Sequence, residues 1–315
     1  QPRPDMPPEM EGELEGVVRI LAQNRWPWRL HSTYDETISR SLDVFERVNQ
    51  DIPLQGLNWF FDHAETISDQ SIDRIAALGG GIAVQHRMAY QGEYFVERYG
   101  LGAAEATPPV KKIIDKGVKV SAGTDATRVA SYNPWVSLAW LVTGRTVGGL
   151  RLYPQRNCLD RETALRMWTE NVTWFSNEEG KKGRIAAGQL ADLILPSKDF
   201  FSCSEDEISH LTSDLTVVGG KMVYGAGDFA ALDENAPPPP MPDWSPVRTF
   251  KGYGAWGEPE GAGKNSLRRT AINLCGCANS CGVHGHDHAT AWSSKLPISD
   301  LKSFWGALGC ACWAV

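Results

Sequence analysis

Three residues of this chain have the types and the spacing for hydrolytic chemistry: His31, His63 and Asp125. Each closes a short apolar run. Trp28-Arg29-Leu30 leads to His31, Phe60-Phe61-Asp62 leads to His63, and Val118 to Thr124 leads to Asp125. Imidazole nitrogens suit zinc and similar divalent ions. Such an ion brings a bound water to ionise near neutral pH. A carboxylate beside it can accept that proton and pass it to a leaving nitrogen. Singly, each residue also reads as a buried polar group satisfied by a neighbour. Their recurrence at the ends of successive strands favours the functional reading, because a barrel of alternating strands and helices carries its catalytic groups at the carboxyl ends of its strands.

The elements that must position them follow from periodicity. Leu14, Val17, Val18 and Leu21 share one face of a helix expected over 13–24, after a Pro- and acid-rich lead-in over 1–12. Strands are expected at 29–31, 57–63, 82–84 and 118–122. Between them lie helices over 35–49, 69–78 and 108–116, and a long loop over 87–106. Gly79 to Gly81 stop one helix and Gly117 another. Strand and helix alternate, so a parallel sheet of βαβ units is expected. Four units are visible, where a closed barrel needs eight. Further on, helices are expected over 134–144 and from Asp160 to about Ser176. Short strands follow at 191–195, 216–218 and 222–224, the last two forming a hairpin through Gly219-Gly220. Residues 234–246 hold six prolines and read as a rigid linker, with a Gly-rich tail over 247–315.

Composition narrows the function classes. The chain has 315 residues, 42% hydrophobic and 22% charged, which is ordinary for a globular protein with a sizeable core. Its net charge of −7 and lack of a basic block argue against nucleic acid as partner. No apolar run reaches membrane-spanning length. The first residue is Gln and no signal-peptide pattern is visible, so the sequence reads as a processed chain or a fragment of something longer; the compartment stays open, with the cytoplasm slightly favoured. Five of the seven cysteines fall in the last 41 residues, which is not the pattern of a disulfide framework for the whole fold.

The segments DHAETISDQSIDRIAALGGGIAVQHR from Asp62, SAGTDA from Ser121 and RIAAGQLADLILPSKDFF from Arg184 resemble the amidohydrolase superfamily, within it amidohydrolase family 3. The likeness runs from about residue 24 to 230. It implies an α/β fold, the C-terminal half of a (β/α)8 TIM-type barrel over 1–180. Part of a small β-sandwich follows over 181–233, around Gly183-Arg184-Ile185, Gly188 and Ala191-Asp192-Leu193. By this resemblance His31 and His63 are metal ligands after the fifth and sixth strands. Asp125, after the eighth, is the general acid/base and a weaker ligand. Gln85, Arg87 and Tyr90 fall where the seventh strand and its loop face the substrate. The family's first-strand His-x-His pair is absent, as is the fourth-strand carboxylate or modified lysine. The rest of the site is therefore expected from a complementary chain carrying the N-terminal half, from a homo-oligomer, or from a longer protein of which this sequence is a part.

The tail packs Cys275, Cys277, Cys281, His284, His286 and His288 into fourteen residues. Clusters of this density bind soft or borderline metals. A local disulfide or an inert tail are the other readings, and Cys310-Ala311-Cys312 either joins the cluster or forms a separate redox pair. The expected function is a metal-dependent hydrolase of non-peptide C–N bonds, amide or cyclic amide, acting on a small molecule with a divalent metal, zinc in the first instance. The competing class is a non-catalytic subunit or scaffold that keeps the half-barrel for assembly and binds metal through its tail.

Overall fold

In the computed structural model, residues 7–126, 129–233, 280–281 and 286–287 are described. The chain divides into two units after Glu234, and the first carries the three residues above. It opens with α1 (Pro8–Gln23), which starts earlier than its apolar stripe suggests because the Pro8 ring tolerates the first helical position. There follow β1 (Trp28–Ser32), α2 (Asp35–Asp51), β2 (Trp59–His63), α3 (Asp69–Leu78) and β3 (Gly81–Gln85). Ser68 caps α3 by accepting from the Ser71 N–H, and Gly79 ends it in the left-handed region.

The long loop expected over 87–106 is instead helical. It contains α4 (Met88–Tyr99) and α5 (Leu101–Ala104). Gly92 hides the helical pattern in the sequence. Its place is one of close packing, since a Cβ there would lie 2.4 Å from Leu152 Cδ1. The helix opened by the proline pair is α6 (Val110–Asp115), and β4 (Lys119–Gly123) follows.

The four strands pair in parallel in the order β1-β2-β3-β4. Along them Trp59, Phe61, Ile82, Val84, Val120 and Ala122 alternate onto one buried face. There they join Ile38, Leu42 and Phe45 of α2, Ile72 and Ile75 of α3, and Ile113 of α6 in one core. Phe45 stands edge-on to Trp59 at 5.0 Å and stacks on Phe61 at 5.7 Å.

Beyond the sheet lie α7 (Pro134–Thr143), α8 (Arg161–Trp168) and α9 (Val172–Phe175). The single helix expected from Asp160 to Ser176 is thus two. The chain breaks at Thr169, whose ψ of −80° departs from the helix. Behind the break, the Asn171 side chain donates to the Val120 carbonyl, and Phe175 packs on Phe60 at 4.8 Å. β5 (Leu193–Pro196), α10 (Glu205–Ile208), β6 (Ser213–Val218) and β7 (Lys221–Gly225) complete the unit. These three strands form an antiparallel sheet, β5-β6-β7. Gly219 and Gly220, both at positive φ, make the expected hairpin turn.

In the second unit two short strands, β8 (Ser280–Cys281) and β9 (His286–Asp287), pair antiparallel. The metal cluster expected at Cys275, Cys277, Cys281, His284, His286 and His288 otherwise lies outside the described residues, as does the Pro-rich linker.

Candidate active site

His31 and His63 come from adjacent strands, but register alone does not bring them together. His31 lies opposite Asp62, and Ser32 opposite His63. A regular strand would point His63 to the face of Trp59 and Phe61, away from His31. The backbone departs from regularity here: His63 has φ 76° and Ala64 φ 51°. Each such residue costs about 1–2 kcal/mol for a side chain other than glycine. The rings of His31 and His63 meet edge to face, with centroids 4.5 Å apart.

Hydrogen bonds between the two βα turns hold this geometry. The Ala64 N–H donates to the Ser32 carbonyl at 3.0 Å and the Thr66 N–H to the Thr33 carbonyl at 3.2 Å. The Ser68 N–H donates to Asp35 Oδ1 at 2.8 Å, while the Asp35 N–H donates to Thr66 Oγ1 at 3.4 Å. The start of α2 and the start of α3 are thereby tied to each other, and the two histidines precede them.

The charges around the pair are unusual. Burial holds His63 below the ordinary imidazole value, with His31 adding to the effect against the opposing pull of Asp125 and Asp62. His63 is therefore kept neutral, the form that binds a cation. Burial raises Asp62 despite Arg29, whose Nε lies 3.4 Å from Asp62 Oδ2. It also raises Glu65, against the attraction of Arg87. Glu65 Oε1 and His63 Nδ1 are buried with no hydrogen-bond partner.

Asp125 is exposed, with φ 52°, two residues past the end of β4. It acts electrostatically on His63 and Glu65. Among the described residues, no three His, Cys, Asp or Glu side chains converge in a way that could hold a metal ion. The two imidazoles fit a borderline divalent ion in donor type, and the orphaned His63 nitrogen suits such a use.

Gln85 ends β3, donates to the Ala83 carbonyl at 3.0 Å, and keeps its Oε1 buried without a partner. Arg87 precedes α4 and donates to Gln91 Oε1 at 2.9 Å. Tyr90 is exposed on α4 itself, its ring 5.8 Å from that of His86. Sequence reasoning passed over Asp62, Glu65 and His86. The signal for the last two was available, since both are polar residues within three positions of a strand end. A cleft of about 430 Å³, lined by Val118, Lys119, Asn171, Trp174 and Arg184, lies elsewhere, where the strands begin.

Comparison with known proteins agrees with this architecture. An N-substituted formamide deformylase of Arthrobacter pascens is 28% identical over 202 residues, covering 62% of this chain and 36% of that protein. A 5-methylthioadenosine/S-adenosylhomocysteine deaminase of Dictyoglomus thermophilum is 30% identical over 186 residues, covering 55% of this chain and 39% of that protein. The chain thus spans well under half the length of the curated relatives it matches. An uncharacterized metal-dependent hydrolase from Pyrococcus horikoshii shares the fold, with a TM-score of 0.53 at 22% identity over 62% of this chain and 39% of that one. Residues 3–224 match the sequence model of the amidohydrolase family, and the chain belongs to that family.

Proposed function

We propose that this chain carries part of the active site of a metal-dependent hydrolase acting on non-peptide C–N bonds, amide or cyclic amide, in a small molecule. The observation that carries the reading is the meeting of His31 and His63 across adjacent strand ends, with His63 kept neutral by burial. These two residues hold the ion, with Asp125 as a further, weaker ligand. A bound divalent cation, zinc in the first instance, supplies Lewis acidity and an ionisable water. Asp125 accepts the proton released as the carbonyl carbon is attacked and delivers it to the leaving nitrogen. Its exposure leaves it free to reach a substrate. Gln85, Arg87 and Tyr90 orient that substrate from the β3–α4 side.

In this reading the four parallel strands are half of a (β/α)8 barrel. β1 and β4 are edge strands, and unpaired edges seek further strands. The remaining ligands come from a complementary chain, a second copy, or a part of the protein outside this sequence. The β5–β7 sheet is the matching segment of a β-sandwich. Ile194, Leu195, Met222, Val223 and Tyr224 are exposed on it, and such apolar surface favours cover.

Metal analysis of the purified full chain, alone and with candidate partner chains, tests the proposal together with hydrolysis of formamides and cyclic amides. Zinc retained by the wild type and lost in His31→Ala, with hydrolysis abolished in Asp125→Asn, is the expected result. A metal-free complex whose hydrolysis survives Asp125→Asn overturns it and leaves an assembly subunit as the reading.

A further inference from the structure

Between β3 and β4 the chain builds more than the one helix a βα unit needs. α6 leads back into β4, and α4 and α5 come before it. α4 matters to the site because Arg87 precedes it and Tyr90 lies in its first turn. Little in α4 itself fixes where those residues stand. Its N-cap makes no side-chain hydrogen bond, and its buried residues are Met88, Ala89 and Gly92. A helix of 12 residues is marginal alone and takes its place from what it packs on. Here that is the turn over 144–152. A bridge between Arg145 and Arg151 closes the turn, and the Thr146 N–H donates to the Leu150 carbonyl at 2.8 Å. Three contacts join it to α4. The Val147 N–H donates to the Ala89 carbonyl at 2.8 Å. Gly92 leaves room for the turn, since a Cβ there would lie 2.4 Å from Leu152 Cδ1 and 2.9 Å from Thr146 Cγ2. Thr146 Oγ1 donates to Glu93 Oε1 at 2.6 Å and accepts from the Leu150 N–H at 3.0 Å. Thr146 is 6% exposed, so this hydroxyl donates and accepts away from water. Gly148 in turn leaves room for Glu93: a Cβ there would lie 2.1 Å from Glu93 Oε1. On another side of α4, Tyr90 reaches back to the strand end, its ring 5.8 Å from that of His86.

We propose that Thr146 is a positioning residue for the substrate-facing end of α4: its hydrogen bond to Glu93, seated between Gly92 and Gly148, sets where Arg87 and Tyr90 stand at the strand ends. A carboxylate that accepts from a hydroxyl makes one of the stronger side-chain hydrogen bonds. The two glycines let turn and helix approach closely enough for it to form. That Arg87 and Tyr90 orient a substrate rests on the reading above; the placement of α4 by Thr146 does not.

NMR of the full chain reads the placement directly, because the His86 ring protons feel the ring current of Tyr90. His86→Phe assigns those resonances, and Tyr90→Leu gives their position without the ring. Thr146→Val removes the hydroxyl and nearly keeps the shape, whereas Thr146→Ser keeps the hydroxyl. Gly148→Ala pushes the Glu93 carboxylate away and alters neither partner. Thr146→Val and Gly148→Ala are expected to move the His86 resonances toward their Tyr90→Leu position. Both should speed amide exchange over Met88–Tyr99 about tenfold, as the loss of one hydrogen bond to a charged group would, while β1 and β2 keep their rates. Thr146→Ser should keep the wild-type resonances and exchange within about threefold of wild type. Wild-type His86 resonances in either Thr146→Val or Gly148→Ala overturn the proposal. So does acceleration confined to 144–152 or equal in every strand, or a Thr146→Ser that behaves like Thr146→Val. Should Thr146→Val not fold, Gly148→Ala and Thr146→Ser decide on the same terms. In hydrolysis assays Thr146→Val should raise KM about tenfold with kcat little changed, because Arg87 and Tyr90 act on binding. If the hydrolase reading fails, no KM is measurable, but the His86 resonances still answer for Thr146.

Discussion

Where the strands of the parallel sheet begin, the side-chain amides are spent. The Asn58 amide donates to the Trp174 carbonyl and the Asn171 amide to that of Val120, while Gly81 lies under the Trp174 ring. Where the same strands finish, the reverse holds. Ser32, His63, Glu65, Gln85 and His86 keep buried polar atoms with no partner, six of the nine such atoms among the described residues. The remaining three are indole nitrogens: those of Trp28 and Trp59, which open β1 and β2 and sit in the aromatic cluster, and that of Trp140 in α7. Positive φ at His63, Ala64 and Asp125 also falls at the finishing ends. One end of the sheet is built to hold the fold. The other is left strained and unsatisfied, as active sites are.

The largest expected effect tests the first half of that contrast. Trp59 opens β2, is fully buried, and touches Phe45, Phe61 and Trp28. Trp59→Ala should cost about 3–5 kcal/mol in urea denaturation. A cost below about 1 kcal/mol would mean that the aromatic cluster yields easily and that the contrast is false.

His63→Gly tests the other end. Glycine adopts the left-handed conformation freely, so relief of strain offsets its greater unfolded freedom. Stability without metal should stay level or rise by up to about 1 kcal/mol. Zinc affinity should fall at least about a hundredfold, since even the outer partners of a ligand are worth about 10–100-fold. Zinc competition against a chromophoric chelator reads the second quantity. A variant destabilised as strongly as Trp59→Ala would show that His63 is a core residue after all.

How much of this was legible in the sequence follows from the same division. Strand positions, the Ser68 cap and the Gly219-Gly220 hairpin obey local rules, and the residues state them plainly. The helix at Met88–Tyr99 was hidden because Gly92 answers to Leu152, sixty residues on, and not to its own helix. The break at Thr169 serves Val120 in the same way, through Asn171. At the site, types and strand ends could be read, but contact could not. Alternation places Asp62 and His63 on opposite faces of β2. Only the left-handed pair at 63–64, held by hydrogen bonds from another turn, aims His63 at His31. Asp125 stands beyond any such tie, and its ligand role remains a proposal.

A smaller effect should appear as pH dependence confined to the finishing ends. His63 and His86 are held below the ordinary value of 6.5 by burial. The unfolded chain then binds protons first, so stability is full above 6.5 and is lost as pH falls toward the depressed folded values. Asp62 and Glu65 are raised from 3.8 and 4.5, and their sign is opposite. Their contribution is full below those values and is lost as pH rises through the raised ones. Urea midpoints measured across this range should therefore drop on the acid side in wild type and drop less in His63→Asn. Glu65→Gln should be more stable than wild type at neutral pH and not at acid pH. An unchanged profile in both variants would remove the electrostatic half of the contrast.

The smallest effect belongs to Arg29, whose side chain is 71% exposed while that of its partner Asp62 is 14% exposed. An exposed guanidinium gains little from such a pair, so Arg29→Gln should cost no more than about 1 kcal/mol at neutral pH. Its pH dependence tells more than its size. Arg29 opposes the upward push of burial on Asp62, so its loss lets the folded value climb further above 3.8. More stability is then lost as pH rises through that value, and the cost of the substitution is largest where Asp62 is ionised. Below 3.8 the carboxyl is protonated in both states, the guanidinium has no charge to meet, and the variant should match wild type. A cost that persists unchanged in acid would assign Arg29 to packing through its aliphatic stem, and would move it from the electrostatics of the site to the structural side of the comparison.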